Sequence, residues 1–171
     1  MGYERIIELI ITSDEWAWLN YVLLPIIYLL KFSILALWLL CGAIIFDLKN
    51  SFSDFFKVVL VAEFVWLVPS LILIIWYGLV DTNYTYTEIQ YFAPFSLLSI
   101  FEEPQHLDAW LVYPLKALNL FELAYIIVLA IGIKKITNKD FNDSLGFTLP
   151  VYGSSLIVWI LFITFLSINL G

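Results

Sequence analysis

The feature that most constrains this sequence is a set of four long stretches with almost no polar interruption, at residues 21–46, 58–80, 109–133 and 145–170. A helix rises about 1.5 Å per residue and the hydrocarbon core of a bilayer is about 30 Å thick, so roughly 20 apolar residues are needed to cross it. Each stretch meets this length. Each is also apolar on nearly every helical face, which is typical of a membrane span and not of a soluble surface helix.

The composition supports the same interpretation. Hydrophobic residues make up 63% of the chain and charged residues only 13%. A chain with so few polar residues cannot cover the surface of a soluble enzyme. We therefore predict an all-α fold, a polytopic transmembrane helical bundle with four spans. Residues 21–171 are predicted to form this bundle as a single domain.

Two shorter stretches are predicted to lie at the membrane surface. Residues 1–20 mix apolar and charged side chains in a run too short to cross, which predicts an interfacial amphipathic segment. Residues 94–103 begin with the apolar run PFSLLSIF and end in two glutamates. This second stretch is either an interfacial or re-entrant piece or half of a fifth span, and the sequence leaves both interpretations open.

Lysines are concentrated in two of the predicted loops. The loops at residues 47–57 and 134–143 carry five lysines, whereas the loop between the second and third spans carries neither Lys nor Arg. Loops rich in Lys and Arg remain on the cytoplasmic side of a membrane. Both termini are therefore predicted to lie outside the cytoplasm.

Charge and residue counts exclude several functions. The net charge of −7 would repel a phosphate backbone, so we expect no nucleic-acid partner. His106 is the only histidine, so the paired histidines of a zinc-protease motif cannot be formed. We predict no catalytic residue, no metal site and no cofactor, and a membrane enzyme is the least favoured class.

Four charged residues fall within the predicted spans: Lys31, Glu63, Lys116 and Glu122. Each charge near the centre of a span costs about 3 kcal/mol on insertion, so each needs a partner or a purpose. Lys31 and Glu122 are predicted at similar depth, where they could form a structural ion pair, line a substrate or proton pathway, or make no contact. Glu63 and Lys116 are predicted to extend their side chains towards the nearer membrane surface.

One combination of polar residues forms a candidate binding site inside the membrane. Lys31, Asn119 and Glu122 are the candidate residues, and Pro69 is expected to kink the second span beside them. Asn119 cannot be satisfied by lipid, so its face of the third span is predicted to contact other helices. Because only Glu122 is predicted to be a deep carboxylate, a proton pump is not expected.

The segments 115–147 (LKALNLFELAYIIVLAIGIKKITNKDFNDSLGF), 51–66 (SFSDFFKVVLVAEFVW) and PFSLLSIF carry a family resemblance. The chain resembles bacterial members of the Yip1 superfamily, through Asn119, Phe121, Gly132 and Ser144 in particular. The resemblance implies a multi-pass protein of the bacterial inner membrane, although the superfamily usually has five spans. Its eukaryotic members are implicated in vesicle traffic, and no functional residue carries over to this chain.

Two functions follow as hypotheses. The first is a non-catalytic accessory or interaction subunit, whose partners are membrane lipids, other membrane proteins or further copies of itself. The alternative is a small carrier, or a permease subunit of a transport complex, with its polar site at Lys31, Asn119 and Glu122.

Overall fold

The protein is described from a computed structural model that gives the backbone of residues 2–170 and the side chains of residues 18, 19 and 21–169. The fold is all-α, as predicted. Its helices are α1 (Gly2–Ile45), α2 (Phe52–Ala62), α3 (Leu67–Ile75), α4 (Tyr86–Tyr91), α5 (Ala109–Ala117), α6 (Leu120–Thr137) and α7 (Phe141–Leu170). Short 3-10 turns at Glu63–Trp66, Leu97–Ile100 and Pro104–His106, and a π-helical turn at Trp76–Val80, complete the described elements.

Three helices in the described part of the chain are long and apolar enough to cross a membrane, namely Tyr21–Ile45, Phe52–Val80 and Phe141–Asn169. They indicate a multi-pass membrane protein. The fourth span, the orientation and the bacterial inner membrane stay predictions. The side chains of residues 1–17 and 20 lie outside the described residues, so the interfacial character of residues 1–20 also stays a prediction.

The second span begins earlier than predicted. The helix starts at Phe52 and not at residue 58, because the backbone N–H and the hydroxyl of Ser51 donate to Asp54 Oδ2 at 3.0 and 2.8 Å and fix the first turn. The span is also irregular, since a 3-10 turn separates α2 from α3. Pro69 lies in the first turn of α3, where its missing N–H is least costly.

The predicted third span, residues 109–133, is broken. Leu118 and Asn119 are extended and separate α5 from α6. The chain segment that follows α4 fills this break: Leu97 N–H donates to Leu118 O, and Leu120 N–H donates to Phe95 O, both at 3.0 Å. Residues 94–103 are therefore a loop with one 3-10 turn, packed against the broken helix, and not half of a helical fifth span.

The bundle has two different ends. The lysine end is where α1 meets α2 and α6 meets α7, with Lys49, Lys134, Lys135 and Lys139. The loop end is opposite and carries the connection 81–108. Near the lysine end α1, α2, α6 and α7 pack around one apolar core, with Ala36, Leu39, Ala43, Phe55, Val58, Val59, Ala62, Ile126, Leu129, Ile133, Phe147 and Val151 buried.

Glycines allow close helix approach in this core. A Cβ at Gly42 of α1 would lie 2.5 Å from a methyl of Val151 on α7, and one at Gly132 of α6 would lie 2.5 Å from a methyl of Val58 on α2. In lipid, helices associate largely through such close packing, because lipid tails are as apolar as the side chains. The two glycines therefore hold the lysine-end half together.

Candidate functional site

A cavity of about 550 Å³ lies in the loop-end half of the bundle. Its walls come from α1, the second span, α5, α6, α7 and the loop at residues 92–96. The charged and amide residues that line it are Lys31, Glu63, Lys116, Asn119 and Glu122. The structure thus brings Lys31, Asn119 and Glu122, the three predicted site residues, to one cavity, and Pro69 lines the same space.

Lys31 has a different partner from the one predicted. Its Nζ lies 3.1 Å from Glu63 Oε2, and Glu63 Oε1 accepts a hydrogen bond from Tyr125 at 3.2 Å. The early start of α2 is the reason: Glu63 lies about 17 Å from the lysine end of its helix and Lys31 about 21 Å, at 1.5 Å per residue. The prediction that Glu63 extends to the membrane surface is therefore wrong, and Lys31 forms no ion pair with Glu122.

Glu122 is buried, with 6% of its surface exposed, and one carboxylate oxygen accepts a hydrogen bond from the Tyr152 hydroxyl. Among the residues that the structure describes, no Lys, Arg or His lies within ion-pair distance of it. Tyr125 and Tyr152 lie with ring centroids 5.2 Å apart, so each carboxylate is held by one of two adjacent tyrosines. The cavity therefore has two deep carboxylates, where the sequence predicted one.

The side-chain amide of Asn119 makes hydrogen bonds within the protein. Its Nδ2 donates to the carbonyls of Lys116 and Ala117, both at 3.1 Å, and its Oδ1 accepts from the Glu122 backbone N–H at 2.8 Å. These bonds satisfy the backbone groups that the break in the helix leaves free. Asn119 therefore positions the first turn of α6, and with it Glu122, and has no donor left for a ligand.

Lys116 lies on the other side of the break, on α5. Its Nζ donates to the carbonyl of Gln90 at 3.2 Å, and it has no carboxylate partner among the described side chains. An ammonium group has three hydrogens to donate, so two of them remain for a group in the cavity.

Aromatic side chains form much of the cavity wall. They come from all parts of it: Tyr28, Trp66, Phe92, Tyr113, Phe121, Tyr125, Tyr152 and Trp159. Trp159 Nε1 donates to the Tyr113 hydroxyl at 2.6 Å, which ties α7 to α5 across the rim. Hydropathy alone gave no signal for this wall, because aromatic residues occur on every face of the spans.

A gap separates α1 from α3 along the cavity wall. Within the described residues, α3 makes no extended contact with α1, α5, α6 or α7. Residues on both sides of the gap line the cavity, including Tyr28 and Lys31 on α1 and Leu73 on α3. The Lys31 side chain is 52% exposed at this position. The cavity wall is therefore not closed by packing of α1 on α3.

A second cavity, of about 630 Å³, lies under the long connection at the loop end. Glu88 lines it, but its carboxylate accepts a hydrogen bond from the backbone N–H of Thr85 at 2.6 Å, which lowers the pKa of Glu88 below its ordinary value. The acidic group is thus used to cap α4. In the described part of the chain, no three His, Cys, Asp or Glu side chains come together as a metal site would require.

No protein-family model, no curated protein and no solved structure matches this chain. The resemblance to the Yip1 superfamily has no support from these comparisons and stays a prediction. The fold and the cavity define a candidate multi-pass membrane protein with a polar, aromatic-walled space among its helices.

Proposed function

We propose that this protein binds a small amphipathic ligand in the loop-end cavity, as a small carrier or as the ligand-binding subunit of a transport complex. One observation carries the proposal: Lys31, Glu63 and Glu122 line a single cavity, and Lys31 and Glu63 lie within two of the candidate spans. Charged groups inside a membrane are costly, at about 3 kcal/mol each, and are rarely kept for packing alone. A ligand with polar groups would give them a function.

The broken helix supports the same proposal. Several transporters bind their substrates where a membrane helix is interrupted, because the half-helix ends carry partial charges. Here the break between α5 and α6 borders the cavity, and Lys116 and Glu122 lie on its two sides. The loop at residues 94–103 keeps the break open by taking up the backbone groups of Leu118 and Leu120.

An accessory subunit is the second candidate function, and α3 is the observation that favours it. Leu71 and Ile74 of α3 are 55% and 63% exposed, and α3 packs on no other described helix over any length. Another membrane protein, a second copy of this chain or lipid would cover this surface.

Native mass spectrometry of protein purified in mild detergent from its own membrane tests the proposal. The matched variants are Ala117→Trp, which fills the cavity, and Ala109→Trp, which places the same side chain on an exposed position of the same helix. We expect wild type and Ala109→Trp to retain the same small non-protein mass, and Ala117→Trp to lose it.

Two results would contradict the proposal. If all three proteins carry the same bound mass, that molecule does not occupy the cavity. If a second protein is present in fixed ratio and no small molecule is retained by any of them, the accessory-subunit candidate replaces the carrier.

A further inference from the structure

We infer that the ligand is zwitterionic, with an organic ammonium group that binds against Glu122 and an anionic group that binds Lys116. This inference rests on the proposed function and adds the chemical class of the ligand. It follows from the charges that the cavity leaves without a partner, and from the aromatic rings around one of them.

Two of the four charged residues that line the cavity form an ion pair, and the other two do not. Lys31 and Glu63 neutralise each other at 3.1 Å. Lys116 and Glu122 line the same cavity and have no ion-pair partner among the described residues. A charge taken out of water without a partner is unfavourable, so a ligand that brings one positive and one negative group stabilises both.

The surroundings of Glu122 fit an organic ammonium group. Tyr152, which donates to the carboxylate, packs on Tyr125, and Tyr125 packs on Trp66, with ring centroids 5.2 and 6.0 Å apart. Tyr125 and Tyr152 are buried, so of these three rings the half-buried Trp66 is the one that offers a face to the cavity. Aromatic faces attract ammonium and quaternary ammonium groups, most strongly where water is excluded. Tyr152 already donates to one carboxylate oxygen, so a ligand cation completes the coordination of Glu122.

The surroundings of Lys116 fit an anion. Its Nζ has one acceptor, the Gln90 carbonyl at 3.2 Å, and two further N–H groups. A phosphate or carboxylate oxygen is the acceptor that an ammonium group binds most strongly. The ligand would thus lie across the break in the helix, with its anion towards α5 and its cation towards α6.

Two sources carry this chemistry, a phospholipid headgroup of the ethanolamine or choline type and a free zwitterion such as betaine. The wild-type protein, freed of lipid in detergent, distinguishes them. Native mass spectrometry measures binding of phosphatidylethanolamine, phosphatidylcholine and phosphatidylglycerol with identical acyl chains. Calorimetry measures binding of phosphoethanolamine, phosphocholine and glycine betaine.

We expect at least one of the two zwitterionic lipids, or one soluble zwitterion, to bind at least about tenfold more tightly than phosphatidylglycerol, since a buried charge left without its partner weakens binding by at least that factor. If only the complete lipid binds, the ligand is a phospholipid headgroup. If the soluble compound binds as tightly as the lipid, the ligand is the free zwitterion. Glu122→Gln should lose about tenfold or more in affinity for that ligand. Asp143→Asn, with the same charge change at the lysine end, should keep it.

The contradicting results separate the two proposals. Equal or tighter binding of phosphatidylglycerol that Ala117→Trp abolishes would overturn the zwitterion and leave ligand binding in the cavity intact. Selective binding that Glu122→Gln leaves unchanged would overturn the role of Glu122. If no compound binds the wild-type protein, the zwitterion inference fails, and the bound mass that Ala117→Trp loses or retains still decides the proposed function. The comparison of lipids on wild-type protein decides the matter even where Glu122→Gln does not fold.

Discussion

The two halves of the bundle differ in how their side chains are packed. Near the lysine end, Leu39, Val59 and Leu129 are completely buried in the contact of α1, α2, α6 and α7. Near the loop end, α3 has no buried side chain and α5 is separated from α6. The cavity lies among these helices, α1 and α7. The comparison indicates that close packing of four helices is concentrated in one half and that the cavity occupies the other.

The difference has a physical basis in the membrane. Lipid surrounds an exposed apolar side chain as favourably as a protein core does, so only close contact distinguishes the two. Close contact is found at the lysine end, where Gly42 and Gly132 let the helices approach. At the loop end α5 packs on α7, but α3 makes no extended contact with another helix, and polar groups and the break between α5 and α6 line the cavity.

Truncation of a core leucine should produce the largest effect. Leu129→Ala removes a side chain that is fully buried, so we expect a loss of about 3 kcal/mol in the free energy of unfolding. Leu71→Ala, at a 55% exposed position of α3, should change it by less than about 0.5 kcal/mol. Unfolding in mixed micelles measures both, and equal losses would contradict the division into two halves.

The glycine contacts give the next prediction. Gly42→Ala places a methyl group 2.5 Å from the stiff Val151 side chain, so we expect a loss of about 2 kcal/mol in stability. Gly146→Ala is the control, because a Cβ there meets nothing within 4 Å. A Gly42→Ala protein as stable as the Gly146→Ala control would show that α1 and α7 are not in close contact.

The ion pair of the cavity should have a smaller effect. Glu63→Leu leaves Lys31 without its partner, and we expect a loss of about 1 to 2 kcal/mol, less than for a fully buried pair because Lys31 is half exposed. The double variant Lys31→Met/Glu63→Leu should recover most of this loss. Thermal unfolding in one detergent compares the three proteins.

The same experiment separates the observed pair from the predicted one. In the structure Glu122 is not the ion-pair partner of Lys31. The loss of stability in Lys31→Met/Glu122→Leu should therefore be about the sum of the losses in the two single variants. If this double variant recovered stability and Lys31→Met/Glu63→Leu did not, Lys31 would pair with Glu122, one of the arrangements predicted from sequence.

Loss of the Asn119 cap should have the smallest of these effects. Asn119→Ala removes the acceptor of the Glu122 N–H and two donors to the end of α5, and we expect a loss of about 1 kcal/mol. Asn119→Ser retains an acceptor for the Glu122 N–H without adding a charge and should lose less. Hydrogen exchange at Glu122 measures the change locally, and no faster exchange in Asn119→Ala would contradict the role of the cap.

Much of the fold could be predicted from the sequence. Long apolar stretches gave the all-α class and the approximate places of three long helices, now seen at Tyr21–Ile45, Phe52–Val80 and Phe141–Asn169. Hydropathy is a sum over many residues, so it is insensitive to any single one. For the same reason hydropathy does not detect a local break in a helix.

Both main errors arose at helix starts that the sequence does signal. Ser51 with Asp54, and Asn119 with Glu122, have the three-residue spacing of an N-terminal cap. The first pair places the start of α2 at Phe52 and so makes Glu63 deep. The second places the start of α6 at Leu120 and so breaks the predicted third span. Ser51 lies in a predicted loop and Asn119 within an apolar stretch, and hydropathy detects neither cap.

Other features depend on how the helices are rotated about their axes, which the sequence does not signal. The aromatic wall, the contact between Gly42 and Val151, and the gap between α1 and α3 are of this kind. The polar residues of the candidate site could be selected because lipid cannot satisfy them. Their pairing required the packed helices.

The central claim is that the loop-end half encloses an accessible polar cavity while the lysine-end half is closely packed. Cryo-electron microscopy of the protein in lipid nanodiscs, with a bound antibody fragment to add mass, tests this claim most directly. The account predicts non-protein density that enters between α1 and α3 and ends near Glu122, with a closed core around Leu129. A map in which α3 packs against α1 and side chains fill the space between Lys31 and Glu122 would contradict it.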